Sequence, residues 1–436
     1  MVTPEGQHKP MPDARRTVQS CRPRAIARAA RAMLAEQATW SQRTLNLSPA
    51  EGLMSRTARR ALDSDLASRL SEGLPWDKDR SMPAAMHQWS VRLEEWIWQL
   101  SRELFGARFT DWRPVSNTMA NAVALSAVTS RGDLVAVQDL NAGGNASYQP
   151  SGLCGVLGLE TLTLPGRPDF DIDTASAVRL ICERMPRAVV VGGSKVLFRY
   201  ELETIAAAAR SVGAYLVFDA AHVGPLVAAG VFNQPLAEGA TLMTVGTHKL
   251  MGGPVGGLVL TDDEAVAERM YACTEPRFLQ TRDINKYAAA VIALAELLEY
   301  RLPLAEAIQR NVAALSADLA SAGVKVIGAD RGWSQTHMLV ADVGQGAVQL
   351  CADLASNGLL VSACALHAQD AAAGHRSGLR MSVAQLTRRG MRPPEMHRVA
   401  SLILQVMSGQ SPAEQAAELA LGFPDVQFSF DKEAAG

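Results

Sequence analysis

Residues 241–257 read TLMTVGTHKLMGGPVGG. An apolar, β-branched run ends at Gly246, Thr247, His248 and Lys249 follow, and glycines 252, 253, 256 and 257 then surround Pro254. A strand that stops at a lysine inside glycine-rich backbone puts an amine where another group can approach closely, because glycine adds no side chain. By itself such a lysine also suits an exposed loop. The surroundings decide the matter. LVAVQD (134–139), LETLTL (159–164), RAVVVGG (187–193), AYLVFDAAH (214–222) and GGLVLTD (256–262) are short, apolar and β-rich. NTMANAVALSAVTS (117–130) and ELETIAAAARSVG (201–213) between them read as helices. Apolar strands alternating with helices predict an α/β fold with a mostly parallel sheet covered on both faces. Functional groups in such sheets gather at the carboxyl ends of the strands, where Asp219, His222 and Lys249 all fall.

Residues 287–323 are an Ala/Leu-rich helical stretch that Pro303 is expected to interrupt. The short strands VKVIG, THMLVADV, LLVSACAL and GLRMSV follow, with helices between and after. This predicts an N-terminal arm over 1–45, a large domain over 46–294 and a smaller α/β domain over 295–436. Within the arm, AIARAARAMLAEQATWSQRTLN (25–46) has helical spacing; a solvated arginine face and packing on a second subunit both suit it.

At 436 residues, with 48% apolar residues and a net charge of -2, the chain has the composition of a globular protein. It has no global charge to draw it to nucleic acid or an acidic membrane, and no apolar run of membrane-spanning length. The start shows no signal pattern, so a cytoplasmic location is expected. Cys21, Cys154, Cys182, Cys273, Cys351 and Cys364 have no paired spacing, which favours free thiols. Cys364 and His367 are too few to make a metal site, so none is expected.

Four elements carry chemistry. Asp219 ends an apolar strand, and a buried carboxylate needs a cationic or donor partner, although capping the next helix is an alternative use. Lys249, in a water-poor position, would keep part of its amine unprotonated and able to attack a carbonyl. Ser116, Asn117 and Thr118 open a helix and so offer an anion site suited to phosphate, or ordinary N-capping. Arg380, in RSGLRMSVAQLTRRG, could clamp a carboxylate or make a surface ion pair. Together they match what pyridoxal 5'-phosphate and an amino acid require.

The wording and order of these segments resemble the serine hydroxymethyltransferase family. The similarity covers residues 45 to 392 and includes LNLSPAEGLMS, SEG (71–73), DAAHVGPLVAAGVFNQPL, THKLMGGPVGG and SGLRMS…TRRGM. The resemblance implies fold type I, with a seven-stranded-type sheet in the large domain and a homodimer with shared active sites. It implies that Lys249 carries the cofactor as an imine, Asp219 holds the pyridine nitrogen, and His222 lies near the phenolic oxygen. Ser116, Asn117 and Thr118 would bind the phosphate, Ser194 would lie beside the ring, and Thr247 and His248 would flank the lysine. Arg380 would bind the substrate carboxylate, and Glu72 would handle protons and cofactor-coupled chemistry.

The chain also departs from the family. Asn145 stands where a histidine stacks on the ring; Leu70 stands two before Glu72 in place of tyrosine. LPWDKDRSMP (74–83) replaces a Gly/Tyr-rich segment serving substrate and folate. CTEPRFLQTRD (273–283) replaces the glycine-rich loop that reaches the neighbouring subunit's phosphate. The expectation is therefore a folate-independent member acting on an unusual amino acid. An S-substituted cysteine, as in lincosamide assembly, would be processed by β-elimination or decarboxylative oxidative deamination. A folate-dependent hydroxymethyltransferase for serine or α-methylserine, and a threonine aldolase or transaldolase, are the alternatives.

Overall fold

A computed structural model describes residues 22–77, 84–366 and 375–435. Residues 1–21 of the predicted arm, including Cys21, as well as His367 and residues 78–83 of the departing segment, lie outside the described residues. The large sheet has seven strands: β1 (Phe109–Asp111), β2 (Leu134–Gln138), β3 (Glu160–Leu164), β4 (Ala188–Gly192), β5 (Tyr215–Asp219), β6 (Leu242–Gly246) and β7 (Gly257–Thr261). Their order is β1-β7-β6-β5-β4-β2-β3, and only β7 runs antiparallel to its neighbours.

Both faces of this sheet are buried, and the alternation along each strand shows why. Val189, Val191, Phe218, Met243 and Val245 pack into one core with helices Ala84–Phe105 and Leu202–Ser211. Val190, Val217, Leu242 and Val259 pack into the other, against Asn117–Val128 and Glu264–Ala272. A strand with both faces covered is apolar at most positions, which is the pattern of β4, β5 and β6 apart from Asp219 and Thr244. The edge strand β1 is not evident from sequence: it has only three residues, two of them polar.

A second sheet, antiparallel, orders β8 (Lys325–Val326), β9 (Met338–Asp342), β11 (Gly378–Ser382) and β10 (Ser362–Cys364) as β8-β9-β11-β10. In the register of this sheet Arg380 lies between Val340 and Ser362. One helix, Ile284–Ser321, connects the two regions and continues through Pro303, contrary to the expected interruption. Burial of Leu297, Leu304, Ala305 and Ile308 on either side of the proline holds it together. Arg301 also donates to the Leu298 carbonyl at 2.6 Å, next to the Glu299 carbonyl that Pro303 leaves without its ladder donor. Helix Pro23–Gln42 buries none of its residues and exposes Ile26, Met33, Leu34 and Trp40. Among the described residues no helix is long and apolar enough to cross a membrane.

Candidate active site

Asp219 is the last residue of β5 and is wholly buried. Its Oδ2 accepts from Asn121 Nδ2 at 3.2 Å and Asn145 Nδ2 at 3.3 Å, and its Oδ1 from the Ala221 N–H at 3.0 Å. Asn121 is held in turn by Thr244, whose hydroxyl donates to its Oδ1 at 2.8 Å. The sequence reading missed Asn121. The signal was present: it is a polar residue on the inner face of an otherwise apolar helix. Asp219 thus has neutral hydrogen-bond donors and no ion pair among the described residues, and a buried carboxylate so placed suits a protonated ring nitrogen.

Lys249 lies past the end of β6, with its Nζ 3.0 Å from His222 Nε2. Burial lowers its pKa to about 8, opposed by Asp219 and assisted by Arg380. His222 is pushed well below the ordinary imidazole range, first by burial and then by the Lys249 charge. It is therefore neutral, and with its proton on Nδ1 it can accept from the amine. His337, absent from the sequence reading, stacks on His222 with ring centres 5.9 Å apart and contacts Ser382 Oγ at 2.8 Å through Nδ1. Burial, Lys249 and Arg380 lower its pKa to about 3. It enters from β9's amino end, so only packing of the two sheets brings it to the site.

The lysine turn is tightly enclosed. Gly52 N–H donates to the His248 carbonyl at 2.8 Å, and a Cβ at Gly52 would lie 1.9 Å from the Lys249 carbonyl oxygen. Gly252 adopts φ +70 and donates to that same oxygen at 2.9 Å. Thr247 is buried and its hydroxyl bonds the Pro254 carbonyl; burial and Lys249 lower the pKa of His248. From behind, Arg388 contacts the Met251 carbonyl and pairs with buried Glu296 at 3.2 Å.

Ser116 caps helix Asn117–Val128 by accepting from Met119 N–H at 3.2 Å, the capping use that the sequence left open. Asn117 is buried beside Asn121, and Thr118 is exposed at the same helix start. A Cβ at Gly257 would lie 2.9 Å from the Ser116 carbonyl oxygen, so the glycine lets β7 press against this turn. Arg380 donates to the Ser194 carbonyl at 2.8 Å, leaves Nε buried without a partner, and has no ion pair among the described residues. The structure thus gathers Lys249, His222, Arg380 and Asp219 into one electrostatic cluster. Asn145 is drawn to Asp219 and Ser194 to Arg380.

Glu72 is positioned differently. Its strand Leu70–Ser71 pairs with Arg282–Asp283, and the next residue, Gly73, donates to Glu275 Oε1 at 3.0 Å. Arg282 pairs with Glu94 at 3.4 Å and Glu275 at 3.3 Å, and Arg113 with Asp111 at 2.8 Å. These contacts of its neighbours anchor Glu72 to an ion network. A small cavity of about 40 Å³, lined by Thr247, Pro254 and Gly257 and by Arg113, Arg282 and Tyr287, lies between network and lysine turn.

Residues 27–403 match the family described as serine hydroxymethyltransferase. The chain belongs to the serine hydroxymethyltransferase family. It is 34% identical over 410 residues to the serine hydroxymethyltransferase of Pyrococcus abyssi, covering 91% of this chain and 95% of that protein. The serine hydroxymethyltransferase of Saccharolobus islandicus is 31% identical over 404 residues, with 91% and 92% covered. The fold is similar to that of L-threonine transaldolase from Pseudomonas fluorescens in its internal aldimine state, with a TM-score of 0.85 over 94% of each chain at 24% identity. Like the family to which it belongs, the chain is a pyridoxal-phosphate-dependent enzyme that acts on amino acids. The donor set fits the cofactor: a depressed-pKa lysine, a buried carboxylate with no ion pair among the described residues and a glycine-framed helix start.

Proposed function

We propose that this serine hydroxymethyltransferase-family enzyme is folate-independent and acts at Cα of an S-substituted cysteine, in natural-product assembly of the lincosamide kind. When bound, pyridoxal phosphate supplies an electron sink conjugated to the substrate nitrogen. The residues supply position and proton control. Ser116, Asn117 and Thr118 hold the phosphate, Asp219 keeps the ring nitrogen protonated, Asn145 and Asn121 hold Asp219, and Ser194, Thr247 and His248 frame the ring. Lys249 carries the cofactor and takes the Cα proton, His222 orients that amine, and Arg380 grips the α-carboxylate.

The observation that carries the substrate class is the low pKa of both imidazoles. Burial keeps His222 and His337 neutral at physiological pH, so neither is a strong acid for expelling a leaving group. A group that departs as a stable anion is then favoured, and thiolate meets that condition far better than hydroxide. In β-elimination the Cα–H electron pair becomes the second Cα–Cβ bond and the C–S pair leaves with sulfur; hydrolysis yields pyruvate and ammonia. Loss of carbon dioxide with dioxygen as oxidant is the other course open to the same site.

Folate independence is supported by LPWDKDRSMP (74–83), which replaces the family's Gly/Tyr-rich segment for substrate and folate; the Gly73 N–H just before it is held by Glu275, from the other substituted loop, which also meets two arginines of its own chain. We further propose a homodimer with shared sites, in which Glu72 handles protons in the partner's pocket and helix Pro23–Gln42 covers the neighbour. Its four exposed large apolar residues support that reading.

The test incubates holoenzyme with S-substituted cysteines and measures thiol with pyruvate, or carbon dioxide with peroxide. Either product pair is the expected result and tells elimination from decarboxylative oxidation. Efficient turnover of serine with tetrahydrofolate would overturn the proposal in favour of the hydroxymethyltransferase reading, which Glu72 and the relatives' names favour. Aldehyde transfer to or from threonine would indicate an aldolase or transaldolase instead.

A further inference from the structure

Lys195 follows Ser194 directly in the stretch GGSKVLF and is only 8% exposed. Its ammonium makes two long hydrogen bonds, each 3.4 Å, to the carbonyls of Leu140 and Ala365, and lies 4.9 Å from the centre of the Phe170 ring. No carboxylate pairs with it among the described residues. Asp139 is near enough to favour its charge, but Asp139 Oδ1 already accepts from Asn141's backbone and side chain at 2.9 and 3.1 Å. The other groups acting on Lys195 are Arg380 and Arg376, of the same sign, and the Cys364 thiol, which burial keeps protonated.

Lysine is almost never this buried without a counter-charge. Here the neighbouring Arg380 is half-buried, makes no ion pair among the described residues, and has an unpartnered Nε. Two cations share one desolvated corner at the carboxyl edge of the large sheet, where β10 and β11 meet it. The α-carboxylate of an amino acid compensates one of them. Among the described residues the second makes no ion pair, and a second anion on the substrate would supply one.

We propose that Lys195 is a specificity residue that reads a second acidic group, so that the enzyme selects amino acids whose side chain ends in an anion. Within the proposed substrate class this means an S-substituted cysteine bearing a carboxylate on its substituent. The inference rests on the reading that Arg380 holds the α-carboxylate.

The experiment compares S-carboxymethyl- and S-(2-carboxyethyl)-cysteine with their neutral amides on holoenzyme. The expected kcat/KM ratio favours the acids by about 100-fold, mainly through KM. It collapses toward unity in Lys195→Met and is largely kept in Lys195→Arg. Calorimetry supplies a readout that needs no turnover: succinate should bind the holoenzyme more tightly than succinamate, and equally in Lys195→Met. Should Lys195→Met not fold, Lys195→Gln is judged by the same criteria. Equal kcat/KM for acid and amide in the unsubstituted enzyme, or a preference that survives loss of the lysine charge, overturns the proposal. If none of the four cysteines reacts yet succinate is still preferred, the substrate reading fails and the role of Lys195 stands.

Discussion

The two charged regions of this enzyme are built on opposite rules. Around Glu275, the buried cations Arg113 and Arg282 meet Asp111, Glu94 and Glu275, and Thr274 adds a 2.6 Å hydrogen bond to Asp111. Around Lys249, the cations Lys249, Lys195 and Arg380 are held by carbonyls and an imidazole, with no ion pair among the described residues. In the first arrangement every cation meets a carboxylate. The second is complete only when anions arrive from outside the chain. Charges buried without counter-charges mark ligand sites because the cost of stripping their water is recovered only on binding.

The sharpest way to break this contrast is Lys249→Ala. The purified variant should lack the visible absorption band of lysine-bound cofactor and lose activity by on the order of 10⁴-fold or more. A retained band that borohydride reduction and mass spectrometry map to another residue would refute the assignment. Next comes Arg380→Ala, which should keep the band and lower kcat/KM by roughly 10²–10³-fold, because hydrogen bonds to a charged partner are lost. A band lost together with activity would place Arg380 in cofactor binding instead.

On the ion-paired side, Glu275→Gln should leave the band intact and lower stability by about 2 kcal/mol in denaturant titration. That is below the ~3–5 kcal/mol for breaking a fully buried pair, because Glu275 is partly exposed. No change in midpoint would show that the network is ornamental to folding. The smallest effect concerns pH. With Lys249 at about 8, its free amine fraction, and the rate of pyridoxal phosphate uptake by cofactor-free protein, should rise about tenfold from pH 7 to 9. The rise should level off above pH 8. A lysine of ordinary pKa would instead keep gaining about tenfold per unit across that range.

The contrast also explains what could be read from sequence. Asp219, His222 and Lys249 were legible because each follows an apolar strand, and strand ends of a parallel sheet converge at one edge. The strands themselves were legible because double burial keeps most polar residues out of them. His337 and Lys195 were not. His337 joins the site through docking of the small sheet, which leaves no local spacing to detect. Lys195 lies one residue beyond Ser194 and looks like a surface lysine until its burial is known. The continuity of helix 284–321 was equally hidden, since tertiary packing overrode the local effect of Pro303.

One small feature limits how this enzyme can be altered. Because a Cβ at Gly52 would lie 1.9 Å from the Lys249 carbonyl oxygen, the loop over residues 48–55 acts as the fixed wall of a mould. Libraries that diversify that loop to reshape the entrance can vary Glu51 and Leu53, but position 52 admits a single letter. Even alanine there would push the Lys249 backbone aside.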